Sequence, residues 1–229
     1  MNNNYTNFIF IRHAESEKNI RDITGGIGEC LTKKGKQEAS NFSKKLATKL
    51  DVSKSYSVIS SNTLQTIDTG KQIAKCLNVE LIVTDKISPA GLGIAGGLSG
   101  SQIAEKYPII SERLNAWRRQ EIEAIDLQIP GMESPCEFWN RIIAYLMTFE
   151  NKTNNIIVCT RSVMVLVANL VSGKRPFRGG GYKHVEINHC DSIAFELISE
   201  KSSFLDDDDI AVKLISSFTT VDLGDIKSE

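Results

Sequence analysis

The sequence predicts one α/β domain with a mostly parallel central sheet flanked by helices. Three observations predict it. Short apolar runs of strand length recur along the chain, and several are followed by stretches whose apolar residues fall three and four apart. No internal repeat and no linker rich in Pro, Gly or Ser divides the 229 residues. The unit therefore runs over 1–229, with an excursion at about 85–130 where the alternation lapses.

Phe8-Ile9-Phe10-Ile11 reads as a strand buried on both faces, as in a parallel sheet covered by helices. Thr32 fits an N-cap, and Ala39, Phe42, Leu46 and Leu50 then share one helical face. A second strand falls at 56–60, and a second helix at 62–77 with Leu64, Ile67, Ile73 and Leu77 on its apolar side. The third strand is 79–83. The excursion holds a glycine-rich loop at 91–100, a short helix that Pro108 interrupts, and a charged helix through Trp117. A helix at 133–149 follows, with Phe138, Ile142, Tyr145, Leu146 and Phe149 on one side. A strand at 156–159, a helix at 163–171, and strands at 185–197 and 211–219 complete the pattern.

Composition excludes several function classes. The 27 Lys and Arg nearly cancel the 28 Asp and Glu, so the chain is no electrostatic binder of nucleic acid or anionic lipid. At 41% apolar and 24% charged residues, global disorder is excluded. Five cysteines, an odd number with no C-x-x-C pair, suggest neither a zinc ribbon nor a disulfide framework, and fit reduced thiols in the cytoplasm. Residues 8–11 are too few for a secretory segment, and the longest apolar run, 163–171, is far short of the roughly 20 residues that span a bilayer.

The main chemical signal is Arg12-His13 at the end of the first strand, the edge where open α/β sheets bind ligands. A neutral imidazole there can attack phosphorus, and an arginine fork can hold phosphate oxygens. A loop histidine beside a solvated arginine reads equally well from these residues alone. Gly91-Leu92-Gly93-Ile94-Ala95-Gly96 matches the G-x-G-x-x-G spacing of nucleotide-binding loops, although Pro89 and a long connection separate it from the preceding strand. Cys159 and Cys190 lack an arginine six residues on, which excludes cysteine-phosphatase chemistry. Gly173-Lys174 lacks the rest of a P-loop. His184 and His189 have no metal-ligand partners at useful spacing and read as ordinary surface or half-buried histidines. Lys174, Arg175, Arg178 and Lys183 flank three glycines in a basic loop that is either solvated or able to reach an anion. Asp206 to Asp209 reads as a solvated turn.

Taken in order, several segments resemble the histidine phosphatase superfamily, the phosphoglycerate mutase-like group. They are Phe10 to Ser16 with Asn19, Leu31 to Ala39, Ser60-Ser61 with Thr69, Gly97-Leu98-Ser99 before 103–108, and Pro130 to Ser134 with Arg141. The resemblance runs from about residue 7 to about residue 198. It implies a phosphoglycerate mutase-like fold with a helical insert, phosphoryl chemistry through phosphorylated His13, and no metal or other cofactor. It also implies a second arginine, a carboxylic acid and a second histidine around the nucleophile. Residue by residue, these positions fall on Gln65, Pro89 and Thr160. Gln65 carries no charge, Pro89 cannot protonate a leaving group, and Thr160 is a neutral donor. Arg161, next to Thr160, either restores positive charge or faces solvent.

The expectation is thus a degenerate member that binds phosphate or a phosphomonoester with little turnover. Arg12, Asn19, Gln65, Thr160 and Arg161 would hold the phosphate, and His13 would be the nucleophile if chemistry survives. A weak or specialised phosphomonoesterase is the alternative, and nucleotide binding through residues 91–96 a distant third. Expected partners are phosphate, a phosphorylated small molecule or a phosphorylated protein, with no nucleic acid and no membrane.

Overall fold

Side-chain alternation along the first strand sets the layers of the molecule. The computed structural model describes residues 5–26, 28–149, 153–173, 182–199 and 210–221. In it β1 (Tyr5–Arg12) sends Phe8 and Phe10 to one face and Ile9 and Ile11 to the other, and all four are buried. Five further strands join it: β2 (Ser57–Ser61), β3 (Leu81–Thr84), β4 (Asn154–Cys159), β5 (Ser192–Ser199) and β6 (Ile210–Leu214). Their order is β3-β2-β4-β1-β5-β6. The first four run parallel, β5 is antiparallel to β1, and β6 is antiparallel to β5.

The helices are α1 (Glu17–Ile20), α2 (Lys33–Lys49), α3 (Leu64–Leu77), α4 (Gly100–Lys106), α5 (Pro108–Arg118), α6 (Pro135–Leu146) and α7 (Arg161–Val171). On one face Leu46 of α2 and Ile73 of α3 pack on Ile9, Ile11, Val58, Ile156 and Val158. On the other, Phe138 and Ile142 of α6 and Val163 and Leu166 of α7 cover Phe8, Phe10, Ile59 and Ile157. The rings of Phe8 and Phe10 lie 5.5 and 5.9 Å from that of Phe195. Each such buried side chain contributes about 1.5–3 kcal/mol, so this two-sided core holds the sheet rigid beneath its carboxyl edge.

Local chemistry sets the helix ends. The Thr32 hydroxyl accepts a 2.9 Å bond from the Gly35 amide at the start of α2. Pro108 has no amide hydrogen to continue α4 but fits the first turn of a helix, so it ends one helix and begins the next. Ser134 and Glu137 cap α6 reciprocally.

Three strand expectations need correction. β3 starts at Leu81 rather than 79, because Asn78 adopts the left-handed conformation and Val79 N still donates to Ala74 O. The strand expected over 185–197 forms only from Ser192 onward. Before it, Asp191 N donates to Asn188 O and Cys190 sits at φ 59°, a turn that breaks extended pairing. The strand expected over 211–219 ends at Leu214 and gives way to a 3-10 turn, Ser216–Phe218. The basic loop residues Lys174, Arg175 and Arg178, and the run Asp206 to Asp209, lie outside the described residues. Among the described residues no helix is long and apolar enough to cross a membrane.

The excursion has a small core of its own, in which Ala95, Ile103, Ile110, Leu114, Leu127 and Ile129 pack together. Leu114 and Leu127 also reach the cavity at the carboxyl edge of β1 and β4, so the insert forms one wall over that edge.

Candidate functional site

β1 and β4 are neighbours in register, Arg12 opposite Cys159, so the residues just past their ends sit side by side. His13 N donates to Cys159 O at 3.0 Å and ties the two ends together. Ala14 N donates to the Thr69 hydroxyl of α3, which in turn donates to Gln65 O. The end of β1 is thereby fixed from both sides.

A cavity of about 350 Å³ opens there, within the range of small-molecule sites. Arg12, His13, Asn19, Gln65, Pro89, Thr160 and Arg161 all line it, so the residues expected at a phosphate site meet at one place. Its basic side chains are Arg12, Lys18, Arg118 and Arg161, against the single carboxylate of Asp22. Leu92, Leu114, Trp117, Leu127, Met132 and Tyr182 give it an apolar side.

Arg12 is 8% exposed. One guanidinium nitrogen, Nη1, donates to Ile187 O; Nη2 lies 3.2 Å from His189 Nε2; Nε has no partner. Among the described residues no carboxylate pairs with Arg12 or with Arg161. Burial, and then the nearby Arg161 charge, bring the Arg12 guanidinium down to about 10, with Glu186 and Asp191 opposing. Burial likewise lowers Arg161, aided by Arg118 and opposed by Glu186 and Asp22. Buried cations without counter-ions are costly, and an anion in the cavity removes that cost.

His13 is buried, and its Nδ1 lies 2.7 Å from Ala14 O. A carbonyl only accepts, so Nδ1 carries the hydrogen and Nε2 keeps its lone pair. Burial pulls the imidazole down to about 3; the Ala14 bond opposes this and the Arg12 charge adds to it. His13 is therefore a neutral base with a fixed tautomer at neutral pH.

The other positions are neutral. Gln65 Oε1 accepts from Glu29 N, so the amide nitrogen is the end left for an anion. Gly28 permits this approach, since a side chain there would strike Gln65 Oε1 at 2.2 Å. Asn19 Oδ1 accepts from the Ser16 amide and hydroxyl, which also leaves its nitrogen. The Thr160 hydroxyl lies 3.1 Å from that of Ser162. Pro89 is held in the wall by Arg141, whose guanidinium donates to Lys86 O and Ser88 O and pairs with Glu133.

The glycine pattern at 91–96 makes no nucleotide loop, which corrects that alternative. β3 ends at Thr84, α4 begins at Gly100, and the glycines between pack on other backbone. Gly93 sits at φ 50°, and a Cβ there would lie 2.0 Å from Pro130 O. Glu15, Glu38 and His189 form the one grouping of ligand-type atoms within 4.8 Å of one another among the described residues. Lys34 already pairs with both carboxylates, so this is an ion-paired cluster beside an imidazole.

Sequence reasoning missed Lys18, Asp22, Trp117, Arg118, Tyr182 and His189 as cavity residues. Lys18 had a signal, its place directly before Asn19. Asp22 follows α1 directly, and the others arrive from the insert or from the segment before β5, where no local spacing announces them.

The family model of the histidine phosphatase superfamily (branch 1) matches residues 8–186. Phosphoserine phosphatase 1 of Hydrogenobacter thermophilus is 31% identical over 140 residues, 60% of this chain and 61% of that protein, so the match spans about three fifths of its length. Among solved structures, mycobacterial glucosyl-3-phosphoglycerate phosphatase bound to VO3 has a TM-score of 0.66 at 17% identity, over 91% of this chain and 96% of its own. Phosphoglycerate mutase from Bacillus anthracis str. Sterne has a TM-score of 0.67 at 16% identity, over 93% of each chain. At such identities these structures speak for the fold, which is phosphoglycerate mutase-like. Because the family match runs from inside β1 to the segment leading into β5, the chain belongs to branch 1 of the histidine phosphatase superfamily.

Proposed function

We propose that this protein holds phosphate or a phosphomonoester in the cavity and turns it over slowly or not at all. The observation that carries this reading is a single contrast across the cavity. Among the described residues Arg12 is buried without a carboxylate partner, while Pro89, the position to which the family resemblance assigns a general acid, lines the same cavity. Arg161, Arg118 and Lys18 add positive potential, and Thr160, Gln65 and Asn19 add neutral donors. Proline has no proton to give a leaving alkoxide, and such acids contribute about 10²–10⁴-fold.

The relatives' names point to phosphorylated small molecules, and the apolar side of the cavity suits a phosphomonoester with an apolar or aromatic body. A single phosphorylated side chain of a protein partner also fits this volume.

One observation favours a second reading, that of a weak phosphomonoesterase. His13 Nε2 is a free base aimed from a fixed ring. Its attack on phosphorus would break the ester P–O bond, with solvent supplying the proton to the departing oxygen, and water would then release phosphate from His13. Calorimetry with phosphate at low salt, beside turnover of an aryl phosphate, separates the readings. Binding with turnover about 10³-fold below that of an intact enzyme is expected. Absence of binding overturns the first reading. Slow turnover that His13→Ala abolishes supports the second, and ordinary turnover, on the order of 1–10³ s⁻¹, overturns the reading of little or no turnover.

A further inference from the structure

The end of β4 offers Thr160 where the family resemblance implies an imidazole, yet the cavity holds a second imidazole from another direction. His189 comes from the segment before β5, on the opposite side of β1 from β4. Its ring centroid lies 6.0 Å from that of His13. The segment is fastened to β1 by Cys190 N donating to Arg12 O and Arg12 N donating to Asp191 O. It is fastened again by Asn188 N and the Thr220 hydroxyl donating to the Asp191 carboxylate. Cys190 accepts a φ of 59°, a left-handed conformation that non-glycine residues seldom adopt. This turn, held by four bonds, places His189 Nε2 beside the Arg12 guanidinium.

The contact itself assigns a protonation state. Arginine only donates, so at 3.2 Å from Arg12 Nη2 the Nε2 of His189 must be the acceptor and its hydrogen must sit on Nδ1. While it accepts from Arg12, His189 is thus neutral. The groups facing it pull both ways. Arg12, His13 and Lys34 oppose a charge on the ring, while the carboxylates of Glu15 and Glu38 favour one. An anion seated on Arg12 tips that balance. It draws Nη2 away from the imidazole and brings negative charge close to Nε2.

We propose that His189 supplies the second imidazole of the anion site, and that it takes a proton from solvent onto Nε2 as the anion binds, becoming a donor to it. This rests on the reading of the cavity as a phosphate site and adds a coupling that the reading does not require. Burial and the Arg12 charge hold the ring at about 4, so without a bound anion the proton is absent at neutral pH.

Sulfate is the suitable probe, because it stays a dianion from pH 5 to 8 and any proton taken up belongs to the protein. Calorimetry at pH 6 in two buffers of different ionisation enthalpy counts the protons. Imidazole nitrogen shifts identify the group, since the chain has only three histidines. Wild type should take up a measurable fraction of one proton, its His189 signals should move to the charged form, and its affinity should fall up to about tenfold between pH 5.5 and 7.5. His189→Gln keeps an acceptor for Arg12 but cannot titrate. It should still bind sulfate, with no proton uptake and a flat pH profile. Sulfate binding without proton uptake, or uptake that survives His189→Gln, overturns the inference and leaves the phosphate-site reading standing. Failure of sulfate and phosphate to bind wild type at all overturns both.

Discussion

Two neighbouring strand ends tell different stories. At the end of β1 the chain presents Arg12 and His13; one strand away, at the end of β4, it presents Thr160 and Arg161. Each end brings one guanidinium to the same cavity, but only β1 brings an imidazole base. Charge acts over several ångströms and survives a move of one residue along the chain. Proton transfer needs heavy atoms within about 2.6–3.2 Å and does not survive such a move. On the reading proposed above, the contrast would let a cavity attract anions without turning them over.

The most forceful way to break this contrast is to install the groups that the family resemblance implies. Thr160→His, Gln65→Arg and Pro89→Glu together should raise hydrolysis of an aryl phosphate by about 10²–10⁴-fold. Single changes should do far less, because such groups act as a unit. A triple variant that binds phosphate and stays inactive would place the obstacle in the insert instead.

Removing charge tests the side that is kept. Arg12→Ala should weaken phosphate binding by about 10–100-fold, the size of charged hydrogen bonds worth about 1.5–3 kcal/mol. Binding by wild type should also weaken as ionic strength rises. Arg161→Ala should cost less, since Arg161 is only half-buried and lies at the start of α7. Equal losses in calorimetry would mean that the two strand ends are equivalent.

The imidazoles make a third test through pH. All three histidines of the chain are lowered by burial: His13 to about 3, and His184 and His189 to about 4. Between those values and the ordinary value of about 6.5, the unfolded chain binds protons that the folded chain refuses. Stability should therefore be lost as pH falls from about 6.5 toward 4, and the histidines should contribute no further change above about 7. Thermal melts in phosphate-free buffer check this, and sulfate should flatten the acid side if His189 can charge beside the anion.

The smallest effect should come from a helix cap outside the cavity. Ser134→Ala removes the hydroxyl that accepts from Glu137 N at the start of α6. It should cost about 1 kcal/mol of stability and leave phosphate affinity unchanged. A change in affinity would mean that the Glu133–Arg141 pair beside it transmits to the Pro89 segment.

The sequence by itself determined what local spacing can carry. Phe8 to Ile11 announced a strand buried on both faces, Thr32 a helix start, and Arg12-His13 a reactive strand end, because period, capping and adjacency are properties of a few consecutive residues. The resemblance to the family, carried by motifs in order along the chain, pointed to Gln65, Pro89 and Thr160, and the structure sets all three on the wall of the cavity. Only the tertiary structure decided that β5 lies antiparallel beside β1 and so brings His189 against Arg12, 177 positions away in sequence. It alone turned Arg161 toward the cavity and set Trp117, Arg118 and Tyr182 on the wall. The physical reason is that such contacts depend on strand order and on the packing of the insert. Both are settled by burying apolar surface across the whole molecule, and neither leaves a period or a motif in the residues that end up touching.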